Sequence, residues 1–313
     1  MLTDRTRAIK DSLFAKHRKV SLERAKLYME SYRQTEGEPA IIRRARAFAH
    51  LLENHEIVVD DRDLLVGNRS AEPRAGVVSP EMSPYWILDE LDQFPRRPQD
   101  TFDMSEEDKR YYRDVLYPFW AGRSLNDWYQ QHADAEVVEA QKTRIFSVAQ
   151  TDKGQGHIIC DFDLVLHQGY GAILEDARAR AAAAPENDFY RAAVICLEAV
   201  VAYIHRYEDV VRAQARHAEP ERAVELARMA EILARIATEP ARDLYDALQL
   251  VWLTEVILQH ESNASSLSLG RADQYLWPYY QASVAAGETP EFIHELSQCF
   301  YLKTNTIVAI RYT

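Results

Sequence analysis

The segment GQGHIICDFDLVL places His157 four residues before Asp161 and close to Asp163. An imidazole is tunable near neutral pH, and a carboxylate can orient it or receive its proton, so the pair could polarise or deprotonate a substrate hydroxyl. The same residues also fit a tight turn in which His157 is a hydrogen-bonded structural histidine. The two glycines are no dinucleotide fingerprint, because the third glycine of GxGxxG is missing and no βαβ unit surrounds them.

A second polar cluster lies in ILQHESNASSLSLGRADQYLWPYY, where an apolar run ends in Glu261, Ser262, Asn263, Ser265, Ser266 and Ser268. These groups could line a pocket and offer donors and acceptors to a polyol or hydroxy acid. Alternatively, they satisfy backbone groups at a helix end. His260-Glu261 does not open an HExxH zinc motif, since the residue four after His260 is Ala264. Arg69 and Arg74 flank a loop and could grip a carboxylate or phosphate, or serve as surface or structural arginines. Cys160, Cys196 and Cys299 lie far apart with no CxxC spacing, which argues against a disulfide framework or a thiolate metal site.

The elements that must position these groups are mostly helical. The 313 residues include only 10 glycines and are 47% apolar and 27% charged, a composition that fits a globular chain and excludes disorder or collagen. The net charge of −12, with no local basic patch, argues against nucleic-acid binding. No apolar stretch is long enough to span a bilayer, which needs about 20 residues. The polar N-terminus is no secretory signal, so a cytoplasmic protein is expected.

Helical spacing is expected from Asp4 to about Lys16, from Leu22 to Tyr32 with Ser21 as cap, and through AIIRRARAFAHLLENHEI, where Ile42, Ala45, Ala49 and Leu52 share a face. Between Val58 and Pro98, five prolines and two glycines predict ordered loop with one short helix, wrapped on a larger body by Tyr85, Trp86, Ile87 and Leu91. Ser105-x-x-Asp108 opens a helix toward Tyr117, before Pro118. Further helices are expected from Phe189 to Ala215, with Phe189 through Val211 on one apolar stripe, and from Glu221 to Ala237. Thr238 with Pro240 starts a buried helix ending at His260, and Thr289-Pro290 starts another. The closing run TNTIVAIRYT reads as an element cut short, in a single domain or a piece of one.

Four blocks carry a resemblance: SLERAKLYMESYRQTEGEPAIIRRARAFAHLLENHEIVVDDRDLLVGNRS, PRAGVVSPEMSPYWILDELDQFPRRPQDTFDMSEEDKR, GQGHIICDFDLVLHQGYGAIL and LQLVWLTEVILQHESNASSLSLGRADQYLWPYY. In this order they closely resemble the N-terminal part of pyruvate formate-lyase-like glycyl radical enzymes, in their dehydratase-like branch. The match runs from about Ser21 to Ile310 but covers less than half of a family member. It implies that residues 1–313 are the N-terminal portion of a pyruvate formate-lyase domain, truncated before the catalytic cysteine and glycyl radical loops.

In such enzymes, the resemblance implies, an activating enzyme with an iron–sulfur cluster and S-adenosylmethionine installs a radical on a C-terminal glycine. The radical passes to a cysteine thiyl, which takes hydrogen from a small hydroxylated substrate; C–O or C–C cleavage follows. The complete enzyme is expected to be a homodimer. No cofactor is expected to bind this portion directly, and none of its cysteines has the Gly-Cys-x-Glu context of the thiyl, so the portion alone is expected to be inactive. Substrate contact carries over to His157, Asp161, Ser265 and Ser266. Relatives handling glycerol have a His-Ser pair where this chain has Ser265-Ser266, which puts glycerol in doubt as substrate.

The implied fold is mainly α, the helical N-terminal part of the family's α/β barrel with few short strands. Excursions are expected at Val58 to Pro98 and Gly154 to Asp163, with exposed apolar surface along Ala241 to His260 and on the C-terminal segment if the other half is absent. The rival reading is a non-catalytic helical binding or regulatory module derived from that family.

Overall fold

The computed structural model describes residues 1–143, 145, 158–261 and 266–311. The chain begins with α1 (Asp4–Ala15), the two-residue strand β1 (Val20–Ser21), α2 (Glu23–Gln34) and α3 (Ala40–Asn54). A long strap follows, holding β2 (Gly76–Val77), α4 (Tyr85–Glu90) and a 3-10 turn at Phe94–Arg96. Next come α5 (Glu106–Tyr111), a π-helical stretch at Tyr112–Leu116, α6 (Tyr117–Trp120), α7 (Leu125–His132) and α8 (Ala135–Gln141). The second half holds β3 (Ile158–Ile159), α9 (Phe162–Ala183), α10 (Asp188–Ala215), α11 (Pro220–Ile236), α12 (Leu244–Glu261), β4 (Leu267–Ser268), α13 (Ala272–Tyr275), α14 (Trp277–Ala285) and α15 (Pro290–Thr304). The fold is therefore mainly α, with β1 paired to β2 and β3 to β4, both parallel.

The apolar faces explain the packing. On α3, Ile42, Ala45, Ala49 and Leu52 recur at helical spacing and are buried. On α10 the stripe deepens along the helix: Phe189 stays exposed, whereas Val200, Ile204 and Val211 are sealed. Of the strap, Trp86, Ile87 and Leu91 are buried as expected of a wrapped segment. Between them, α12 is buried on almost every side, from Leu244 to Ile257.

Several boundaries differ from expectation. Pro118 does not end the helix opened by Ser105; the Ser105 hydroxyl accepts from the Asp108 N–H at 3.0 Å, and the π-helical turn carries the chain on to Trp120. Ser21 is a strand residue, although its hydroxyl accepts from the Glu23 N–H at 3.4 Å. Thr238 and Pro240 do not start α12, because the Ala241 N–H donates to the Leu166 carbonyl at 3.0 Å across to α9. The start falls instead where the Asp243 carboxylate accepts from the Asp246 N–H at 3.0 Å.

The expected exposed apolar surface along Ala241 to His260 is also corrected, since packing on α9, α11, α14 and α15 covers that helix. In the C-terminal segment Ile310 is buried, and among the described residues the exposed large apolar groups there lie at Trp277, Tyr280, Val284 and Tyr301. Of the excursion expected from Gly154 to Asp163, residues 154–157 lie outside the described residues and 158–161 are non-helical; α9 then begins at Phe162 and runs on to Ala183 past a break at Gly169 with φ of 70°. The nearest atom to a Cβ there would be the Glu239 carbonyl carbon at 2.5 Å, so the position requires glycine.

Candidate functional site

The two chemistry-bearing blocks meet through one short ladder. Ile158 pairs with Leu267 and Ile159 with Ser268, in parallel register, so the histidine block and the serine block run side by side. His157 and Ser265 themselves lie outside the described residues. Asp161 caps α9, its carboxylate accepting from the Leu164 N–H at 3.1 Å, and it is exposed. Ser266, adjoining β4, lines a cavity of about 360 Å³.

The cavity lies between α12, the strap, β4 and the C-terminal end of α15. Its polar lining includes Arg69, Glu255, Gln259, Ser266 and Thr304. Trp252, Glu255 and Gln259 form one stripe of α12 because residues three and four apart share a helix face. Burial alone pushes the Glu255 carboxyl up to about 7, so neutral acid and carboxylate coexist near physiological pH. Arg69 is buried as well; desolvation, then the nearby Arg24 charge, lower its guanidinium to about 9, which leaves it protonated at neutral pH.

The strap is fastened to α12 by reciprocal bonds. The Gln249 amide accepts from the Val66 N–H and donates to the Val66 carbonyl, both at 2.8 Å. The Trp252 indole N–H donates to the Gly67 carbonyl at 3.1 Å. Gly67 has φ of 136°, and a Cβ there would come within 2.7 Å of the Trp252 indole nitrogen. This close approach carries the chain to Arg69 at the cavity wall.

A second set of charges holds the C-terminal end of α12, just before the serine block. The Arg24 guanidinium donates to the His260 carbonyl at 2.8 Å, the Glu261 carbonyl at 2.9 Å and a Glu81 carboxylate oxygen at 2.7 Å. Arg44 donates to the Glu261 carboxylate at 2.9 Å and to the Glu261 carbonyl. The Tyr28 hydroxyl donates to the same carbonyl at 3.1 Å. Last-turn carbonyls have no intrahelical partners, and cations there also match the negative end of the helix dipole.

Beside this clamp, the buried His260 ring lies edge-on to His55 at 4.6 Å, with its Nε2 at 3.3 Å from the Tyr203 hydroxyl. Desolvation first, then the neighbouring His55, Arg69 and Arg24, hold His260 well below the usual imidazole range, hence neutral.

Of the two loop arginines, the structure brings only Arg69 to the cavity. Arg74 stacks over Phe14 instead, at 4.6 Å from the ring centroid. The three cysteines sit beside β3, on α10 and on α15, and burial raises them to about 11, 11 and 12 respectively. They remain thiols at neutral pH. Glu255 went unrecognised in the sequence. Its one available signal was a lone carboxylate inside LQLVWLTEVILQ, a run apolar on most sides.

Residues 2–313 match the family described as pyruvate formate lyase-like. The chain is 34% identical to "Probable dehydratase YbiW" of Escherichia coli, over 99% of this chain and 40% of that relative. It is 29% identical to an isethionate sulfite-lyase of Oleidesulfovibrio alaskensis, over 94% of this chain and 38% of that one. Its fold superimposes on the glycerol-bound B12-independent glycerol dehydratase from Clostridium butyricum with a TM-score of 0.95 and 34% identity, covering 100% of this chain and 41% of that one. The chain thus spans about 40% of the length of such relatives. Among the described residues, no helix is long and apolar enough to cross a membrane. With the whole sequence matched and the fold shared, the chain belongs to the pyruvate formate lyase-like family, alongside glycyl radical dehydratases and lyases.

Proposed function

We propose that residues 1–313 form the N-terminal portion of a pyruvate formate-lyase domain, and that the complete protein is a cytoplasmic, homodimeric glycyl radical lyase or dehydratase. Its substrate is a small hydroxylated molecule, and the bond cleaved is C–O or C–C. The observation that carries this reading is the β3–β4 register, Ile158 to Leu267 and Ile159 to Ser268, which sets the histidine block against the serine block. Substrate binding falls to His157, Asp161, Ser265 and Ser266; in sequence His157 immediately precedes β3 and Ser266 immediately precedes β4.

In this reading the chain's own residues bind the substrate, orient its hydroxyl and exclude water. The radical is supplied by a glycine loop and a thiyl cysteine in the remainder of the protein, after action of an activating enzyme with an iron–sulfur cluster and S-adenosylmethionine.

The test begins with the DNA beyond the codon for Thr313, which is expected to encode a Gly-Cys-x-Glu loop and a C-terminal Arg-Val-x-Gly-Tyr loop, in frame or in an adjacent frame. The full product, activated without oxygen, should show a glycyl radical by electron paramagnetic resonance. Absence of both loops would overturn the reading and leave a binding module of the same family.

A further inference from the structure

Two buried acceptors in the cavity lack partners. Among the described residues, one carboxylate oxygen of Glu255 and the side-chain oxygen of Gln259 accept no hydrogen bond, although both residues are more than nine-tenths buried. Burying a polar atom without a partner opposes folding, so a pair of such atoms on one wall of a cavity calls for an explanation. The neighbouring end of α12 makes the contrast plain, because its last-turn carbonyls receive Arg24, Arg44 and Tyr28.

We propose that Glu255 and Gln259 are two acceptor positions of a polyol-binding site, each taking one hydroxyl of a small molecule lying along α12. The inference rests on the substrate class named above and assigns it two further contact residues. Positions four apart on a helix are neighbours at about 5–6 Å, within reach of two hydroxyls of one three-carbon chain. Ser266 and Thr304 line the same cavity; the Thr304 hydroxyl gives its proton to the Tyr301 carbonyl at 2.8 Å and so can accept from a ligand hydroxyl, while Trp252, Leu267 and Ile307 match the carbon skeleton.

The charges present disfavour an ammonium ligand. Arg69 lines the cavity, as does the Tyr301 ring of α15, and burial raises the Cys160 thiol beside β3 to about 11 and the Tyr275 hydroxyl of α13 well above its ordinary value, so both stay uncharged near Glu255 at neutral pH. Burial also lets Glu255 hold a proton near pH 7, and a neutral carboxyl can donate as well as accept.

The experiment titrates glycerol, propane-1,2-diol and propan-1-ol into the chain, with affinity read by ligand-observed nuclear magnetic resonance. Glycerol should bind more tightly than propan-1-ol. Its affinity should fall roughly tenfold in Glu255→Leu and again in Gln259→Leu, and stay within about threefold in Glu255→Gln, which keeps an acceptor oxygen. Glu255→Leu should melt no lower than the parent, which separates lost binding from lost fold. Should that variant fail to fold, Gln259→Leu and Glu255→Gln decide the matter by the same comparison.

Equal glycerol affinity in parent and leucine variants, equal binding of propan-1-ol, or no binding at all would overturn the proposal. A full product that forms the glycyl radical and turns over its substrate unchanged with Glu255→Leu would sink this inference while leaving the enzyme reading intact. Polyol binding that depends on Glu255, in a protein without radical loops, would do the reverse.

Discussion

Two regions of α12 treat polar groups in opposite ways. At its C-terminal end, Arg24 and Glu81 are buried as a pair, and Arg24, Arg44 and Tyr28 satisfy the last carbonyls. Glu255, about a turn and a half earlier, and Gln259, on another face of the last turn, are equally buried but leave acceptors open to a cavity. The first arrangement fixes where the helix stops and how the serine block departs. The second costs stability and gives the cavity its chemistry. Buried charge alone therefore does not mark a functional group: Glu81 also keeps one oxygen without a hydrogen bond but sits in an ion pair with Arg24, whereas burial acts on Glu255 with no cation to offset it.

The sharpest way to break this comparison is Arg24→Ala, which strands the Glu81 carboxylate and uncovers the α12 carbonyls. A loss of about 3–5 kcal/mol is expected in urea denaturation. The double variant Arg24→Met with Glu81→Leu should recover part of it, because no charge is then left unpaired.

Glu255→Leu should have the opposite sign. The folded carboxyl titrates at about 7, above its ordinary value of 4.5, so the folded state binds the extra proton and Glu255 costs stability as pH rises between those values. The variant should gain up to roughly 3 kcal/mol over the parent at pH 8 and almost nothing at pH 4, in paired melts across that window. An equal effect at both pH values would remove the cavity carboxyl from the comparison.

Gly67→Ala tests the seam between strap and helix. The left-handed backbone and the approach to Trp252 predict a loss of about 1–3 kcal/mol with a shifted tryptophan emission, measured by thermal melting and fluorescence. The smallest effect belongs to the partly exposed rim of the clamp. Arg44→Lys keeps the charge but loses the fork onto Glu261, and about 1 kcal/mol or less is expected from the same denaturation measurement.

How much of this was legible in the sequence depended on the range of each contact. The face of α3 could be read because periodic apolar residues report burial locally, as Ile42, Ala45 and Leu52 do. The start of α12 was misplaced at Thr238 because Pro240 fits a first helical turn, while the bond from Ala241 to Leu166 that holds this stretch extended is made to a distant helix. Helix α9 was not anticipated: Gly169 and Gly171 interrupt its side-chain pattern, and only the packing of Thr238 and Glu239 against them shows why glycine stands there.

The β3–β4 ladder has two residues on each side, too few for any alternation to appear, and its partners are more than a hundred residues apart. Of the site, the two blocks were legible as polar residues in apolar settings. Glu255 was not, because only the folded cavity distinguishes a stranded carboxylate from a surface one.

The seating of α1 has a consequence for synthesis. The Thr6 hydroxyl donates to the Gln298 side-chain oxygen at 2.6 Å, and Arg5 pairs with Glu225 and, at 3.4 Å, with Glu295. Helix α1 is thus held largely by α15, and at 12 residues it is too short to persist well alone. At the usual pace of translation, α1 must wait roughly 15–60 s after leaving the ribosome before α15 exists to receive it. Throughout that interval Leu13, buried in the finished fold, is left uncovered to any chaperone that binds apolar segments of nascent chains.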